Sequence, residues 1–148
     1  MDYASTPRAI DVLLDRYAES HRNPVNELIH IVCIPAIVFS LLGILWAMHP
    51  VVALVVVAAA LVYYARLSRP FALGMAVMAA VMLTLLNMLP EGTVLVTSIA
   101  VFVLAWIGQF VGHHIEGKKP SFFDDLRFLL IGPLFVLSIF YRRIRLDW

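Results

Sequence analysis

The chain of 148 residues is poor in charge and has almost no cysteine. Charged residues make up 14% and hydrophobic residues 62%, whereas soluble domains have about 25% and about 45–50%. The one cysteine, Cys33, excludes an internal disulfide. A balance of 11 basic and 10 acidic residues gives no sign of a nucleic-acid-binding surface. The composition predicts a membrane protein that forms a single integral membrane domain over residues 1–148.

Four long apolar runs occupy most of the chain. They cover residues 28–48, 50–67, 70–89 and 92–114. Each run approaches or exceeds the length that a helix needs to cross a hydrocarbon core of about 30 Å, and each begins at or soon after a proline or glycine. We therefore expect an all-α fold with four transmembrane helices in a bundle.

Two further segments flank these runs. Near the N-terminus, Ile10 and Leu14 recur at helical spacing among acidic residues, which predicts a short amphipathic helix. This segment lacks the features of a secretory signal, so we expect it to stay on the mature protein. Residues 126–141 are apolar but shorter, with Gly132-Pro133 in the middle. We interpret them as a partial, proline-broken helix that is re-entrant or interfacial.

The basic residues indicate an orientation. If the first run spans the membrane, the connections that contain Arg66 and Lys118 lie on the side of the N-terminus, and the opposite turns contain no Lys or Arg. The positive-inside rule makes that side cytoplasmic. A fifth full span would carry Arg142 and Arg143 to the other side, which favours the partial helix. We expect the inner membrane in a bacterium and the endoplasmic reticulum in a eukaryote.

The histidines gather at one end of this predicted bundle. His21 precedes the first run, His30 lies about two turns inside it, and His113 and His114 end the fourth. His49 is on the opposite side, where a hydrogen-bonded interfacial role is expected. An ionisable side chain inside a span is costly and usually functional. Imidazoles with a nearby carboxylate suit Fe, Zn, Mn or Ni, so the cluster predicts a metal site.

Helical geometry restricts which histidines can meet. His21 and His30 are nine residues apart, which in one unbroken helix turns the two rings about 180° from each other. Asn23-Pro24 breaks that helix, because asparagine is a good N-cap and proline fits the first helical position. His21 can then fold back over the end of the bundle and face His30. Asn26 could orient the His30 ring or satisfy backbone groups.

The end of the fourth run supplies the remaining candidates. Glu116 follows His113 by three residues and so shares its helical face, and Gln109 precedes it by one turn. His114 points about 100° away from His113 and is the weaker candidate. Lys118 and Lys119 are either topology signals with lipid head-group contacts or partners of a substrate carboxylate.

Two stretches carry a family resemblance. SHRNPVNELIHIVCIPAIVFS (residues 20–40) and WIGQFVGHHIEGKKPSFFDDL (residues 106–126) resemble the membrane-embedded 2-hydroxy fatty acid dioxygenases of fatty-acid α-oxidation. The resemblance covers both stretches and the hydrophobic layout between them. The matching residues are His21, Asn23, Pro24, Asn26, His30, Pro35, Gln109, Gly112, His113, Glu116 and Pro120.

The resemblance implies an Fe(II)-dependent enzyme that converts a 2-hydroxy fatty acid and O₂ into the acid one carbon shorter and CO₂. Its metal ligands would be His21, His30 and His113, with Glu116 as a further catalytic residue. A fourth ligand or supporting contact would come from Glu116, His114, Asn26 or Gln109. The hydroxy acid supplies the electrons, so no flavin or 2-oxoglutarate is needed. A long acyl chain could lie between the spans, in contact with membrane lipid.

Two other classes of protein stay open on the residues alone. A metal or ion transporter would use the same histidines as a binding site, but polar residues should then continue through the bilayer. Few polar residues lie within the later runs: Thr84 and Asn87 in the third and Thr97 and Ser98 in the fourth. A non-enzymatic membrane scaffold would use the histidines only to cap helices.

Overall fold

The computed structural model describes residues 7–90 and 92–148. Over these residues the chain forms six α-helices and one short 3₁₀ turn. The helices are α1 (Ala9–Ala18), α2 (Pro24–Met48), α3 (Pro50–Leu67), α4 (Arg69–Met88), α5 (Val94–Glu116) and α6 (Phe128–Arg143), and the 3₁₀ turn is Ser121–Phe123.

The four central helices, α2 to α5, are long and apolar enough to cross a membrane. They confirm the prediction of an all-α membrane protein with four spans. Their starts follow the predicted punctuation, because proline occupies the first turn of α2, α3 and α4. The Asn23 side chain caps α2 by accepting from the Val25 amide. His49 caps α3 in the same way, which is the interfacial role expected of it.

Helix α2 lies at the centre and packs against α3, α4, α5 and α6. Its most extensive contact is with α5, which runs antiparallel to it. Glycines permit this close approach: a Cβ on Gly43 would lie 2.0 Å from the Ser98 hydroxyl, and one on Gly108 would lie 2.6 Å from the Cys33 sulfur. Small residues let two helix backbones approach closely, as in other membrane bundles. The antiparallel pairing puts the start of α2 beside the end of α5.

Helices α1 and α6 complete the end of the bundle where the chain begins. The predicted amphipathic helix α1 buries Ile10, Leu14 and Tyr17 and packs against α6. Helix α6 has only 16 residues and also contacts α2 and α4. It differs from the expected broken helix in one respect, because the helix continues through Pro133. Proline removes one backbone donor and is tolerated here within extensive side-chain packing.

The α2–α5 contact generates a stability prediction. Gly43→Val adds a branched side chain where even a Cβ meets Ser98 and Leu86. Overpacking of this kind costs about 1–3 kcal/mol, so the midpoint of thermal unfolding in detergent should fall. The matched control is Ala59→Val on the exposed surface of α3, which makes a small-to-valine change in a helix without a neighbour to displace. Equal midpoints for the two variants would contradict the proposed packing constraint.

Candidate metal centre

Three buried histidines converge where α2 and α5 meet the loop after α1. His21, His30 and His113 are 3%, 0% and 5% exposed. The His21 ring centroid lies 4.2 Å from that of His30 and 5.0 Å from that of His113, and the His30 and His113 centroids are 4.7 Å apart. One ligand atom from each residue lies within 4.8 Å of the others. The structure thus brings together the three histidines that the sequence singled out as ligands.

The loop before α2 explains how His21 reaches the other two. Helix α1 ends at Ala18 and α2 begins at Pro24, so His21 belongs to a short segment between helices. This segment turns back over the end of the bundle, and its ring meets His30 nearly at right angles, with an interplanar angle of 77°. The Asn23-Pro24 break has the geometric effect that the sequence predicted.

Hydrogen bonds fix the orientation of two of the rings. The His21 Nδ1 donates to the Tyr17 carbonyl at 2.7 Å, and the His30 Nδ1 donates to the Asn26 carbonyl at 2.9 Å. Each acceptor lies four residues before its histidine. A carbonyl can only accept, so both rings carry their proton on Nδ1 and leave Nε2 unprotonated, as an acceptor or a candidate metal ligand. Metal-ligating histidines are commonly held by such a bond on the other ring nitrogen.

The surroundings favour the neutral form of His21. Its ring stacks on Tyr17 at 4.3 Å between centroids and lies 5.4 Å from the Phe135 ring. Burial lowers the pKa of His21 below its ordinary value. The imidazole is therefore uncharged at neutral pH, which is the form that coordinates a metal.

The donor set fits a first-row divalent metal. The Nε2 of His21 is buried without a hydrogen-bond partner, and the Nε2 atoms of His30 and His113 face each other at 3.1 Å. An orphaned buried nitrogen is costly unless something binds to it. Neutral imidazole nitrogens suit iron, zinc, copper and nickel, so these residues can hold such an ion.

Glu116 supports the loop that carries His21. Its carboxylate accepts from the backbone amides of Arg22 and Asn23, at 3.1 and 2.8 Å, and from the Asn26 side-chain amide at 3.1 Å. These contacts tie the start of α2 to the last residue of α5. The carboxylate is not part of the group of converging ligand atoms. Its geometry is that of a residue that holds ligands in place.

Asn26 combines both functions that the sequence left open. Its buried side chain donates to Glu116 and to the Ser20 carbonyl, and its backbone carbonyl orients His30. A Cβ on Gly112 would lie 2.4 Å from the Asn26 side-chain oxygen. Glycine at position 112 therefore lets Asn26 and His30 reach α5.

The remaining candidates divide by their positions. His114 is exposed and is not among the converging ligand atoms. Lys118 donates to the Glu19 carbonyl at 2.8 Å, and Lys119 pairs with Asp124 at 2.6 Å. The backbone of Gly117, with φ of 71°, ends α5 and sends the chain towards these contacts. Both lysines have partners within the protein.

A buried polar pair beside His113 extends the site. Gln109 lies one turn before His113, and Ser121 comes from the 3₁₀ turn; both are buried, with Gln109 Nε2 and Ser121 Oγ unpartnered. Both line an apolar cavity that His113 also lines. Sequence reasoning missed Ser121, because a single serine after a turn has no periodic or motif signal.

Comparisons with known proteins identify the family of the chain. Residues 8–144 match the family model described as "2-hydroxy-palmitic acid dioxygenase Mpo1-like". The chain belongs to this Mpo1-like family. A Saccharomyces cerevisiae (strain ATCC 204508 / S288c) relative named 2-hydroxy-palmitic acid dioxygenase MPO1 is 34% identical over 134 residues, 84% of this chain and 75% of that protein. No solved structure matches the chain.

Metal content tests the histidine site. Purified wild-type protein should bind roughly one equivalent of a transition metal per chain, and His30→Ala should lose it, because the central nitrogen donor is gone. His49→Ala is the matched control, since His49 is exposed and caps α3 away from the site. Elemental analysis by mass spectrometry gives the measurement. Metal retained by His30→Ala would contradict the site.

Glu116 provides a second test. Glu116→Ala removes the acceptor that ties the His21 loop to α5, so metal affinity should fall by roughly 10–100-fold, as for other contacts that support ligands. Competition with a chelator of known affinity measures the change. Glu19→Ala is the control, because it removes an exposed acid from the same loop region without changing the contacts of its backbone carbonyl. Equal affinities in the two variants would show that Glu116 has no such function.

Proposed function

We propose that this protein is an Fe(II)-dependent dioxygenase that converts a 2-hydroxy long-chain fatty acid and O₂ into the fatty acid one carbon shorter and CO₂. The observation that carries the proposal is the buried convergence of His21, His30 and His113 in a member of the Mpo1-like family. The relative that shares 34% identity is named for 2-hydroxy-palmitic acid.

The three histidines would hold the iron. Iron supplies one-electron and O₂ chemistry when bound, which amino-acid side chains do not provide. Two ring nitrogens are already oriented by the Tyr17 and Asn26 carbonyls, so little rearrangement is needed to bind the ion. Burial of all three rings limits the access of water to the reacting groups.

The proposed reaction balances without a further reductant. The bond between the carboxyl carbon and the hydroxyl-bearing carbon breaks; the first carbon leaves as CO₂ and the second becomes the new carboxyl group. The organic acid loses four electrons, and O₂ accepts four. The hydroxy acid and O₂ together contain five oxygen atoms: two end in the shorter acid, two in CO₂ and one in water. The shorter acid, CO₂ and one water therefore account for every atom.

Glu116 acts as a positioning residue in this proposal. Its carboxylate holds the backbone of Arg22 and Asn23, and Lys118 holds the Glu19 carbonyl. Together they fix both sides of His21 against the end of α5. A membrane enzyme needs such ties, because a ligand on a loose loop at the interface would not keep its geometry.

We infer that the site lies at the cytoplasmic face with the N-terminus. At this end of the bundle, Arg66 and Arg69 flank the turn between α3 and α4, and Lys118 and Lys119 follow α5. The positive-inside rule assigns an end with this basic bias to the cytoplasm. The membrane would be the inner membrane of a bacterium or the endoplasmic reticulum of a eukaryote. A substrate dissolved in that membrane would reach the metal without crossing water.

A direct assay tests the function. Protein purified anaerobically with Fe(II) should convert 2-hydroxypalmitate labelled with ¹³C at the carboxyl carbon into pentadecanoate and ¹³CO₂ once O₂ is admitted. Mass spectrometry detects both products. His21→Ala, His30→Ala and His113→Ala should each lose activity, because each removes a proposed iron ligand, whereas His49→Ala should keep it. Full activity in the three ligand variants would contradict the assignment.

A further inference from the structure

Two apolar cavities lie next to each other in the bundle, and one of them reaches the proposed metal site. The first, here called the head cavity, has a volume of about 270 Å³ and lies between α2, α5 and α6, with His113 in its wall. The second, the tail cavity, has a volume of about 310 Å³ and lies between α2, α3, α4 and α6. Both cavities share the wall formed by Val38, Leu41, Leu129 and Pro133.

The head cavity has two buried polar side chains beside His113, and the Trp106 indole N–H, which is also unpartnered, lines it as well. Gln109 is 6% and Ser121 5% exposed, and Gln109 Nε2 and Ser121 Oγ have no hydrogen-bond partner. Buried donors without partners are rare, because each loses its bonds to water. An amide N–H and a hydroxyl are both suited to the oxygens of a carboxylate or a hydroxyl group. This end therefore matches a small polar head that carries oxygen atoms.

The other walls match a hydrocarbon chain. Beyond Gln109 and Ser121 the head cavity is lined largely by aliphatic and aromatic side chains, including Ile34, Phe102 and Trp106. In the tail cavity the one polar atom of a side chain is the Tyr64 hydroxyl, which donates to the Leu130 carbonyl. A ligand that fills both cavities must be polar at one end and apolar along the rest of its length.

We propose that the 2-hydroxy fatty acid binds here, with its carboxylate and hydroxyl group at Gln109 and Ser121 and its acyl chain running past Val38 and Pro133 into the tail cavity. This assignment rests on the proposed function and adds the residues that bind each part of the substrate. The head cavity alone is slightly smaller than the roughly 300–1,000 Å³ typical of ligand sites, and the two cavities together fall within that range. Long chains need both cavities, whereas short chains need only the first.

The position of Val38 between the two cavities makes chain length testable. Val38→Phe should fill the space where the two cavities meet and so block an acyl chain that extends from one to the other. The kcat/KM for a 16-carbon 2-hydroxy acid should then fall by about tenfold or more, while the kcat/KM for an 8-carbon acid changes little. Val81→Phe, on the exposed face of α4 and outside both cavities, is the matched control and should leave the ratio of the two values unchanged. An unaltered ratio in Val38→Phe would refute the acyl path.

Photolabelling locates the chain without turnover. A 2-hydroxy fatty acid with a diazirine at its far end is irradiated with the full-length wild-type protein under anaerobic conditions, and labelled peptides are mapped by mass spectrometry. Label should appear on tail-cavity residues such as Tyr64, Met75 and Met78. Label confined to other surfaces overturns the proposal. Label in the tail cavity without dioxygenase activity would leave the binding path standing and reject the proposed reaction.

The same probe tests the polar end. Gln109→Leu and Ser121→Ala each remove an unpartnered donor. With the probe kept well below its own Kd, the concentration of 2-hydroxypalmitate that halves labelling should rise by about tenfold in each variant. Hexadecane has a chain of the same length without a polar head, and its competition should not change, which separates loss of head-group binding from general misfolding. Unchanged competition by 2-hydroxypalmitate in both variants would exclude these residues as its head-group site.

Discussion

The close antiparallel contact of α2 with α5 determines the rest of this structure. Without side chains at Gly43, Gly108 and Gly112, the two backbones approach closely enough for small polar groups to meet across the interface. The start of one helix then lies beside the end of the other, and residues 83 positions apart in the chain, His30 and His113, come within hydrogen-bond distance. The site is a consequence of how these helices pack.

In an apolar environment, the polar contacts at this end of the bundle strongly affect both the stability and the geometry of the site. Groups that are buried away from water must find partners inside the protein. Glu116 accordingly accepts from three donors of the loop and of α2, and Asn26 donates to two acceptors. These bonds hold the segment between α1 and α2 against the end of α5. Site geometry and local stability therefore depend on the same few residues.

Much of this arrangement could be predicted from the sequence. The length of the apolar runs defined the four spans, and Asn23-Pro24 separated His21 from the helix of His30, because both signals are local. The partners of Glu116 and Lys118 could not be predicted, since they are backbone groups brought close by tertiary packing. The same is true of Ser121 and of the course of α6 through Pro133, which depend on the surrounding helices.

The bond between His21 and the Tyr17 carbonyl has a further consequence. Tyr17 lies in the last turn of α1, and its carbonyl accepts from the Ser20 amide as well as from the His21 ring. The end of α1 therefore orients the His21 ring through Nδ1 and leaves Nε2 as the candidate ligand atom. Its orientation is built into the peptide framework before any ion arrives. The ring is preorganised, so the conformational entropy of fixing it is lost during folding of the chain and would not weaken the binding of a metal here.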